Sequence, residues 1–291
     1  MPDQETLVEN VSDTAFWVAH YRAVESARPD ALFHDPLAAR LSGERGKKIA
    51  EDLPMPFMTA WILAMRTTII DEFIERAVSE GVDTVLNLGA GLDARPYRMD
   101  LSPQLQWIEA DYPAMIEFKQ ERLVNEKPRC NLERIKIDLG ADADRRQMLG
   151  RINAGSRKLL VLTEGVLPYL SNEQVGGLAD DLHGLDHIVY WIAEYQSPDV
   201  IKFRDRGGMR EKLKNAPFKF RPSDWFGFFA EHGWRQKETR YLSEQADRLG
   251  RPIPFPPLAK VFMAVRALFV SKKTRERFRR FTAYVLLEPT A

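Results

Sequence analysis

The sequence has one cysteine, no excess of either charge and no long uninterrupted apolar segment. A single thiol, Cys130, cannot form an internal disulfide or a thiolate metal cage, so we expect a reducing, cytoplasmic setting. Lys and Arg total 42, and so do Asp and Glu, which leaves no surplus of positive charge for broad nucleic-acid binding. We therefore expect a small-molecule substrate and no nucleic-acid partner.

Signals for export or membrane insertion are also missing. The first ten residues carry three acidic side chains and lack the basic and apolar regions of a signal peptide. The longest apolar stretch near the C-terminus, 258–270, is interrupted by Lys260 and Arg266 and is too short to span a bilayer. With 44% hydrophobic residues among 291, the chain can bury a sizeable core, as one large α/β domain or two small ones.

Short apolar runs rich in β-branched residues alternate with helical patterns through the middle of the chain. The apolar runs predict strands at 84–88, 105–110, 134–137, 159–162 and 187–193. The segments between them predict helices at 114–123, 145–152 and 172–185. Strands that alternate with helices form right-handed βαβ units, so we expect a doubly wound, mostly parallel α/β sheet.

Two more strands are predicted at 234–242 and 282–287, which makes seven, and we expect the last to pair antiparallel with the one before it. Residues 1–82 have helical patterns, and the longest helix, 59–80, stops at Gly81. We interpret 1–82 as a helical cap over one edge of the sheet, 83–242 as a Rossmann-like core and 243–281 as a lid insertion. Residues 282–291 complete this single domain as its closing strand.

A glycine-rich turn follows the first strand. Gly89-Ala90-Gly91 lets the backbone approach a ligand closely at the carboxyl end of the strands, where open α/β sheets bind ligands. The second strand ends in Glu109 and Asp111, and an acid at this point can accept hydrogen bonds from ribose hydroxyls. Asp138 ends the third strand and can accept a bond from an adenine amine. The pattern predicts a cofactor that contains a nucleoside.

Two cofactors remain open at this point, because Gly89, Gly91 and Ala94 also satisfy the dinucleotide pattern G-x-G-x-x-G/A. A pyrophosphate next to Asp93 would meet a like charge, which Arg95 offsets only in part. S-adenosylmethionine has no phosphate and carries a sulfonium and an ammonium group. Acids at successive strand ends favour this cationic ligand. An NAD-dependent oxidoreductase is the alternative, and a non-catalytic binding protein of the same fold is a third interpretation.

Four motifs occur in order: NLGAGLDAR at 87–95, EADYP at 109–113, Asp138-Leu139, and TEGVLPYL at 163–170. Together with FHDP at 33–36 and Arg66, they resemble the leucine carboxyl methyltransferase family, especially its bacterial branch similar to a polyketide O-methyltransferase. The resemblance implies a class I S-adenosylmethionine-dependent fold with a seven-stranded sheet. It also implies methyl transfer to oxygen, usually of a carboxylate, in secondary metabolism.

The resemblance implies roles for single residues of this chain. Arg66 would bind the methionine carboxylate, Gly89 would line the methionine and ribose, and Asp111 would hold the ribose. Asp138-Leu139 would bind the adenine, and Glu164 would lie near the methionine amino group. Neighbours of these positions are also cofactor candidates, namely Ala90, Gly91, Asp93 and Gly165. The family has a basic residue in its first helix, and either Arg22 or Arg28 could correspond to it.

Methyl transfer from a sulfonium is an in-line displacement that needs alignment and exclusion of water, but no metal. A carboxylate acceptor needs no base at neutral pH, because its ordinary pKa is near 4. A phenol or alcohol would need a base, which His20, His34 or His187 could provide, and we take His20 as the catalytic candidate. Tyr169 and Tyr195 are candidates for hydrogen bonding to the acceptor in an aromatic, hydrophobic pocket.

The lid insertion carries a basic segment at 272–280, with six basic residues and one acid. We interpret it as a lid helix packed on the domain with a solvated cationic face, or as a cover over an acidic substrate. Membrane contact through 258–280 is a third interpretation, which we favour less. These features predict a hydrophobic, acidic acceptor.

Overall fold

The computed structural model describes residues 7–205, 207–256 and 271–290. Its seven strands are β1 Thr84–Leu88, β2 Gln106–Asp111, β3 Asn131–Lys136, β4 Leu159–Thr163, β5 Ile188–Gln196, β6 Trp234–Tyr241 and β7 Thr282–Pro289. The α-helices of the described residues are α1 Thr14–Ser26, α2 Ala38–Asp52, α3 Pro56–Ser79, α4 Arg95–Arg98, α5 Pro113–Arg122, α6 Asp142–Gly155, α7 Asn172–His183, α8 Pro198–Arg204, α9 Gly207–Lys212, α10 Trp225–Glu231, α11 Leu242–Arg248 and α12 Lys272–Arg279. Short 3-10 turns occur at Val11–Asp13 and Leu167–Tyr169.

All seven strands belong to one sheet with the order β3-β2-β1-β4-β5-β7-β6. The strands from β1 to β5 are parallel, whereas β7 runs antiparallel between β5 and β6. The order reverses between β1 and β4, which are neighbours in the sheet although two strands separate them in the chain. The doubly wound, mostly parallel sheet predicted from the sequence is confirmed, and so is the antiparallel pairing of the last two strands.

Alternate residues of each strand pack on opposite faces of the sheet. Leu86, Ile108 and Val161 pack with α6, α7 and α10 on one face. Val85 and Leu160 pack with α3 and α11 on the other. Because both faces are covered, the central strands β1 and β4 are buried along their whole length and consist mostly of apolar residues, which is why the sequence predicted them.

The helices before β1 occupy two different places. Helices α1 and α2 pack against each other and, beside the glycine turn, against α5. Helix α3 instead lies across one face of the sheet, against β5 and β7. The expectation of a cap over one edge therefore does not describe α3. Its apolar residues, such as Ile69, Ile70 and Phe73, are fully buried in the core of that face.

Strands β3 and β5 are among those that extend beyond their apolar runs. The edge strand β3 begins at Asn131, and its polar residues are partly exposed, so the search for apolar runs missed its first half. Strand β5 continues to Gln196 instead of ending at residue 193. In the part of the chain that the structure describes, no helix has the length and apolarity needed to cross a bilayer. The apolar stretch 258–270 of the lid insertion lies outside the described residues.

Three charged side chains are buried together where β2 meets α5 and β3. Glu109 Oε1 accepts a hydrogen bond from Lys119 Nζ at 2.7 Å, and its Oε2 accepts one from Arg134 Nε at 2.8 Å. The side chains of Glu109 and Lys119 are fully buried. Glu109 therefore joins two strands and a helix, and is not available to a ligand.

Replacing Glu109 by Ala should destabilise the fold by about 3–5 kcal/mol, because it leaves the buried Lys119 ammonium without its counter-charge. Glu117→Ala is the matched control, since its pair with Lys136 is exposed and should be worth less than about 1 kcal/mol. Urea unfolding of both variants measures the difference. Equal losses for the two variants would contradict the structural role of Glu109.

Candidate functional site

A cavity of about 590 Å³ lies at the carboxyl ends of the parallel strands. Residues from the ends of β1, β2, β4 and β5 line it, together with residues of α1, α3 and α8. The reversal of strand order between β1 and β4 falls at this point. Such a switch point is where open α/β sheets bind ligands. The cavity is therefore the candidate site for both cofactor and acceptor.

The glycine turn presents backbone to the cavity. Gly89 has φ of 66° and Gly91 has φ of 46°, conformations that favour glycine. A Cβ on Gly89 would collide with the side chain of Val166 in the loop after β4. Glycine at this position thus lets the two loops pack closely while the wall of the cavity stays open to a ligand.

Asp111 holds the glycine turn in place. Its Oδ2 accepts a hydrogen bond from the Gly91 amide at 2.6 Å, and its Oδ1 accepts one from the Tyr112 amide at 2.7 Å. Burial raises the pKa of Asp111, and these two amides oppose the shift. Each carboxylate oxygen can accept more than one hydrogen bond, so Asp111 can still bind hydroxyl groups of a ligand.

Asp138 and Leu139 line the same side of the cavity, after β3. The Gly140 amide donates to Asp138 Oδ1 at 2.8 Å, and the Tyr112 hydroxyl also bonds to this carboxylate. The Tyr112 ring is half-exposed and lines the cavity as well. This side therefore offers hydrogen-bond acceptors next to an aromatic ring, which suits a nucleoside.

Arg95 is the centre of a buried ion network beside the cavity. It donates to Asp71 at 2.6 Å, to Asp93 at 2.9 Å and to Glu164 at 2.6 Å. Arg66 binds the other oxygen of Glu164 at 2.6 Å. The acids come from α3, the glycine turn and the loop after β4, so a single guanidinium joins three segments of the chain.

The network fixes the charge of its acids. Burial alone would raise the pKa of Asp93 and of Glu164, but the neighbouring arginines outweigh burial and hold both pKa values below their ordinary range. Asn87 adds a hydrogen bond to Asp93 at 2.9 Å. Both oxygens of Asp93, a predicted cofactor residue, already accept hydrogen bonds from Arg95 or Asn87, so this acid holds the glycine turn in place.

Of the two arginines left open by the sequence, the structure brings only Arg22 to the cavity. Arg22 donates to Asp35 at 2.8 Å and to the Leu92 carbonyl at 2.5 Å, and so ties α1 to the glycine turn. Arg28 lies after the end of α1 on the surface, where it pairs with Asp30 at 3.0 Å. Arg28 is therefore removed from the cofactor candidates.

His20, the candidate base, does not line the cavity. It lies near Glu51 and Lys47 of α2, and burial lowers its pKa. The α1–α2 contact accounts for this position, since it turns that side of α1 away from the sheet.

Tyr195, another catalytic candidate, also does not line the cavity. It stacks on Phe226 with ring centroids 5.5 Å apart. Alternate residues of a strand point to opposite faces, and its neighbours Glu194 and Gln196 are the ones that line the cavity. Tyr169 is at the cavity, as expected.

Most of the predicted residues do come together. Those that the structure places on the cavity wall are Arg22, Arg66, Gly89, Ala90, Gly91, Asp93, Asp111, Asp138, Leu139, Glu164, Gly165 and Tyr169.

Among the polar residues of the wall that were not predicted from the sequence are Glu194, Gln196, Arg204 and Tyr284. An acid at the end of a buried strand was the signal that pointed to Asp111, and the same signal would have found Glu194. Tyr284 lies opposite Glu194 across β5 and β7. Arg204, at the end of α8, gives no comparable signal, because only tertiary packing turns that helix toward the cavity.

Glu194 is a buried carboxyl group on the wall, close to Arg66 and Glu164. Burial raises the pKa of Glu194 to about 7, Arg66 opposes the shift, and the negative charge of Glu164 reinforces it. Its Oε1 is buried and has no hydrogen-bond partner within the described ranges. Near neutral pH the cavity thus contains a partly protonated carboxyl group.

The raised pKa of Glu194 makes stability depend on pH. The folded protein keeps a proton that the unfolded chain loses near pH 4.5, so Glu194 destabilises the fold increasingly as pH rises from about 4.5 to 7. Glu194→Gln should remove this loss. Relative to the unmodified protein, the variant should be more stable at pH 8 than at pH 5 by on the order of 2 kcal/mol.

Urea unfolding at the two pH values measures this difference. Glu173→Gln, at an exposed position of α7, is the control and should show no such change. If Glu194→Gln had the same relative stability at both pH values, the raised pKa would be contradicted.

Comparison with known proteins agrees with this geometry. A family model described as leucine carboxyl methyltransferase matches residues 15–183. A protein of Frankia alni, provisionally named an S-adenosyl-L-methionine-dependent methyltransferase, is 31% identical over 282 residues, which cover 90% of this chain and 96% of that protein. A Streptomyces coelicolor protein with the same provisional name is 30% identical over 261 residues, covering 84% of this chain and 89% of its own.

Two crystal structures share the fold. A DUF574 family protein from Streptomyces avermitilis has a TM-score of 0.57 at 12% identity, with 96% of this chain and 97% of that chain covered. A Thermobifida fusca protein, provisionally named a methyltransferase, has a TM-score of 0.55 at 12% identity, with 100% and 98% covered. At this identity the likeness concerns the fold alone.

Proposed function

The chain belongs to the leucine carboxyl methyltransferase family, and from this premise we propose that it methylates an oxygen atom of a small, acidic and largely apolar molecule. Family and relatives identify it as an S-adenosyl-L-methionine-dependent methyltransferase. One observation carries the finer proposal. The same cavity has Asp111 and Asp138 on one side, and on the other Arg204, a cation with no ion-pair partner among the described residues.

The cavity wall suits S-adenosyl-L-methionine. Asp111 would accept hydrogen bonds from the ribose hydroxyls, and Asp138 would accept one from the adenine amine, with the Tyr112 ring alongside. Arg66 uses its Nε for Glu164, so its two terminal nitrogens are left for the methionine carboxylate. Glu164 would lie near the methionine amino group.

A dinucleotide fits less well. A pyrophosphate after a glycine turn binds at the N-terminus of the following helix. Helix α4 is a single turn here, and it begins with the buried, ion-paired Arg95 and with Pro96. The Gly91 amide already donates to Asp111. The turn therefore offers a pyrophosphate few free amides, which counts against the NAD-dependent alternative.

If the acceptor is a carboxylate, methyl transfer needs no general base from the protein. S-adenosyl-L-methionine supplies a methyl group on a positively charged sulfur. The chain must hold the acceptor oxygen in line with it and exclude water. A carboxylate is already ionised at neutral pH. The position of His20 away from the cavity is consistent with an acceptor that needs no base.

The acceptor side of the cavity is mostly apolar. Trp17 contributes from α1 and Ile62 from α3, and Phe203 and Phe218 contribute from the segment between β5 and β6. Phe203 is more than half exposed where it lines the cavity, which is unusual for a large apolar side chain. A hydrophobic body would cover it.

The contacts of the basic segment 272–280 support the interpretation that it is a helix packed on the domain. Arg277 of α12 pairs with Asp199 of α8, and Arg279 pairs with Asp247 of α11. These cations are therefore engaged by the domain itself, which makes membrane contact a weaker interpretation. Because α8 also carries Arg204, helix α12 lies next to the acceptor side.

Asp111→Ala should weaken binding of S-adenosylhomocysteine by about 1.5–3 kcal/mol, the usual range for a hydrogen bond to a charged group. Asp144→Ala, which removes an exposed acid of α6, is the control and should bind as the unmodified protein does. Isothermal titration gives both dissociation constants. An unchanged constant for Asp111→Ala would remove Asp111 from the cofactor site.

The proposed activity is tested with methyl-labelled S-adenosyl-L-methionine and a panel of aromatic and aliphatic carboxylic acids and phenols. We expect label in the carboxylic acids as methyl esters, which mild alkali releases as methanol, whereas aryl ethers keep their label. Binding of S-adenosylhomocysteine without any product would favour a non-catalytic binding protein. Absence of binding at millimolar ligand would contradict the cofactor itself.

A further inference from the structure

We propose that Arg204 binds the anionic group of the acceptor and thereby selects carboxylates over neutral molecules of the same shape. The inference rests on the proposed function and deepens it, because it assigns acceptor recognition to one residue. Arg204 lies outside the motifs that carry the family resemblance and outside the cofactor candidates.

Arg204 differs from the other buried arginines of the described residues. Each of those has a carboxylate within 3 Å: Arg22 with Asp35, Arg66 with Glu164, Arg95 with Asp71, Arg98 with Asp71 and Arg145 with Asp181. One terminal nitrogen of Arg204 is buried without any hydrogen-bond partner in the described ranges. The adjacent acid, Asp205, pairs with Arg221 at 2.5 Å instead. The Arg204 guanidinium thus lines the cavity without an ion-pair partner in the described ranges.

The Arg204 guanidinium is held in one orientation. Its central carbon lies 3.3 Å from the ring centroid of Phe218, so the two planes are in close contact. The guanidinium also bonds to the Tyr169 hydroxyl. Arginine presents its donors as a rigid fork that matches a carboxylate with two parallel hydrogen bonds. Prior orientation of the fork lowers the entropy lost when the acceptor binds.

An unpaired buried charge is costly, and an acceptor anion would offset that cost. Burial lowers the pKa of Arg204, while Tyr169, Glu194 and Asp205 oppose the shift only in part. Breaking or omitting one half of a buried ion pair costs several kcal/mol in other proteins. A ligand that supplies the missing carboxylate recovers this energy, whereas a neutral ligand leaves the charge buried and unpaired. Selectivity for anions follows from that difference.

The surroundings define the rest of the acceptor. Val200, Phe203 and Leu213 line the cavity close to Arg204 in sequence and favour an apolar body. The Gln196 Oε1 atom is buried and without a partner in the part of the chain that the structure describes. It can accept a bond from a hydroxyl or amine of the acceptor. The best fit is an aromatic or alicyclic carboxylic acid.

The test uses the full chain saturated with S-adenosylhomocysteine and compares 1-naphthoate with 1-naphthamide, which has nearly the same shape but no charge. Isothermal titration should show 1-naphthoate binding at least about tenfold tighter than 1-naphthamide. Arg204→Gln should remove this preference by weakening 1-naphthoate at least about tenfold while leaving 1-naphthamide within about twofold. Lys202→Gln, which removes one exposed cation from the same helix, should change neither.

Binding of S-adenosylhomocysteine distinguishes a failure of the proposed function from a failure of the inference about Arg204. If the unmodified protein does not bind it, the proposed function fails. If it binds but 1-naphthoate does not bind, or binds no better than 1-naphthamide, the inference about Arg204 is overturned while the methyltransferase assignment stands. The inference about Arg204 is also overturned if Lys202→Gln weakens the binding of 1-naphthoate as much as Arg204→Gln does.

Arg204→Lys provides the second variant, in case Arg204→Gln does not fold. It keeps the charge but loses the planar fork, so 1-naphthoate should bind about three- to tenfold more weakly, with S-adenosylhomocysteine unaffected. Full retention of 1-naphthoate binding in Arg204→Lys would show that charge alone acts and would overturn the oriented-fork proposal.

Discussion

The guanidinium of Arg95 is the constraint on which the site depends. It binds acids from α3, from the glycine turn and from the loop after β4, whose side chains are at most 11% exposed. A guanidinium does not lose its proton in a protein, so each acid has to stay in place to balance it. Through this group helix α3, the glycine turn and the loop after β4 are held in one fixed arrangement. The cavity is the space left between them.

This network divides the acids at the strand ends into two classes. Asp93 and Glu164 are neutralised by arginines and position the loops. Asp111 and Asp138 accept hydrogen bonds from backbone amides and keep lone pairs for a ligand. The site is therefore less negative than a count of its acids indicates. Hydrogen-bond geometry, more than net negative charge, suits it to an adenosyl ligand. Arg204, which has no ion-pair partner among the residues that the structure describes, gives the opposite side a positive charge.

The sequence predicted those parts of the fold that depend on local patterns. Buried parallel strands are mostly apolar runs, so β1 and β4 were predicted to within a residue. The glycine at position 81 indicated the end of the helix before β1, and Gly81 does have the left-handed conformation that ends helices. Strand β5 was predicted short because its last residues are polar on the cavity side. The predicted strand ended before Glu194, so this residue was not among the candidates, and the candidate Tyr195 lies on the opposite face. The choice between Arg22 and Arg28, and the role of Arg204, depend on tertiary packing that no local pattern records.

The central claim is that this cavity holds the adenosyl donor with its ribose at Asp111 and its reacting end toward Tyr169 and Arg204. A crystal structure of the complex with S-adenosylhomocysteine tests it most directly. The account predicts both ribose hydroxyls within hydrogen-bond distance of Asp111, the amino-acid carboxylate at Arg66, and open space between the sulfur and Arg204. A ligand bound elsewhere, or a sulfur that faces away from Arg204, would contradict it.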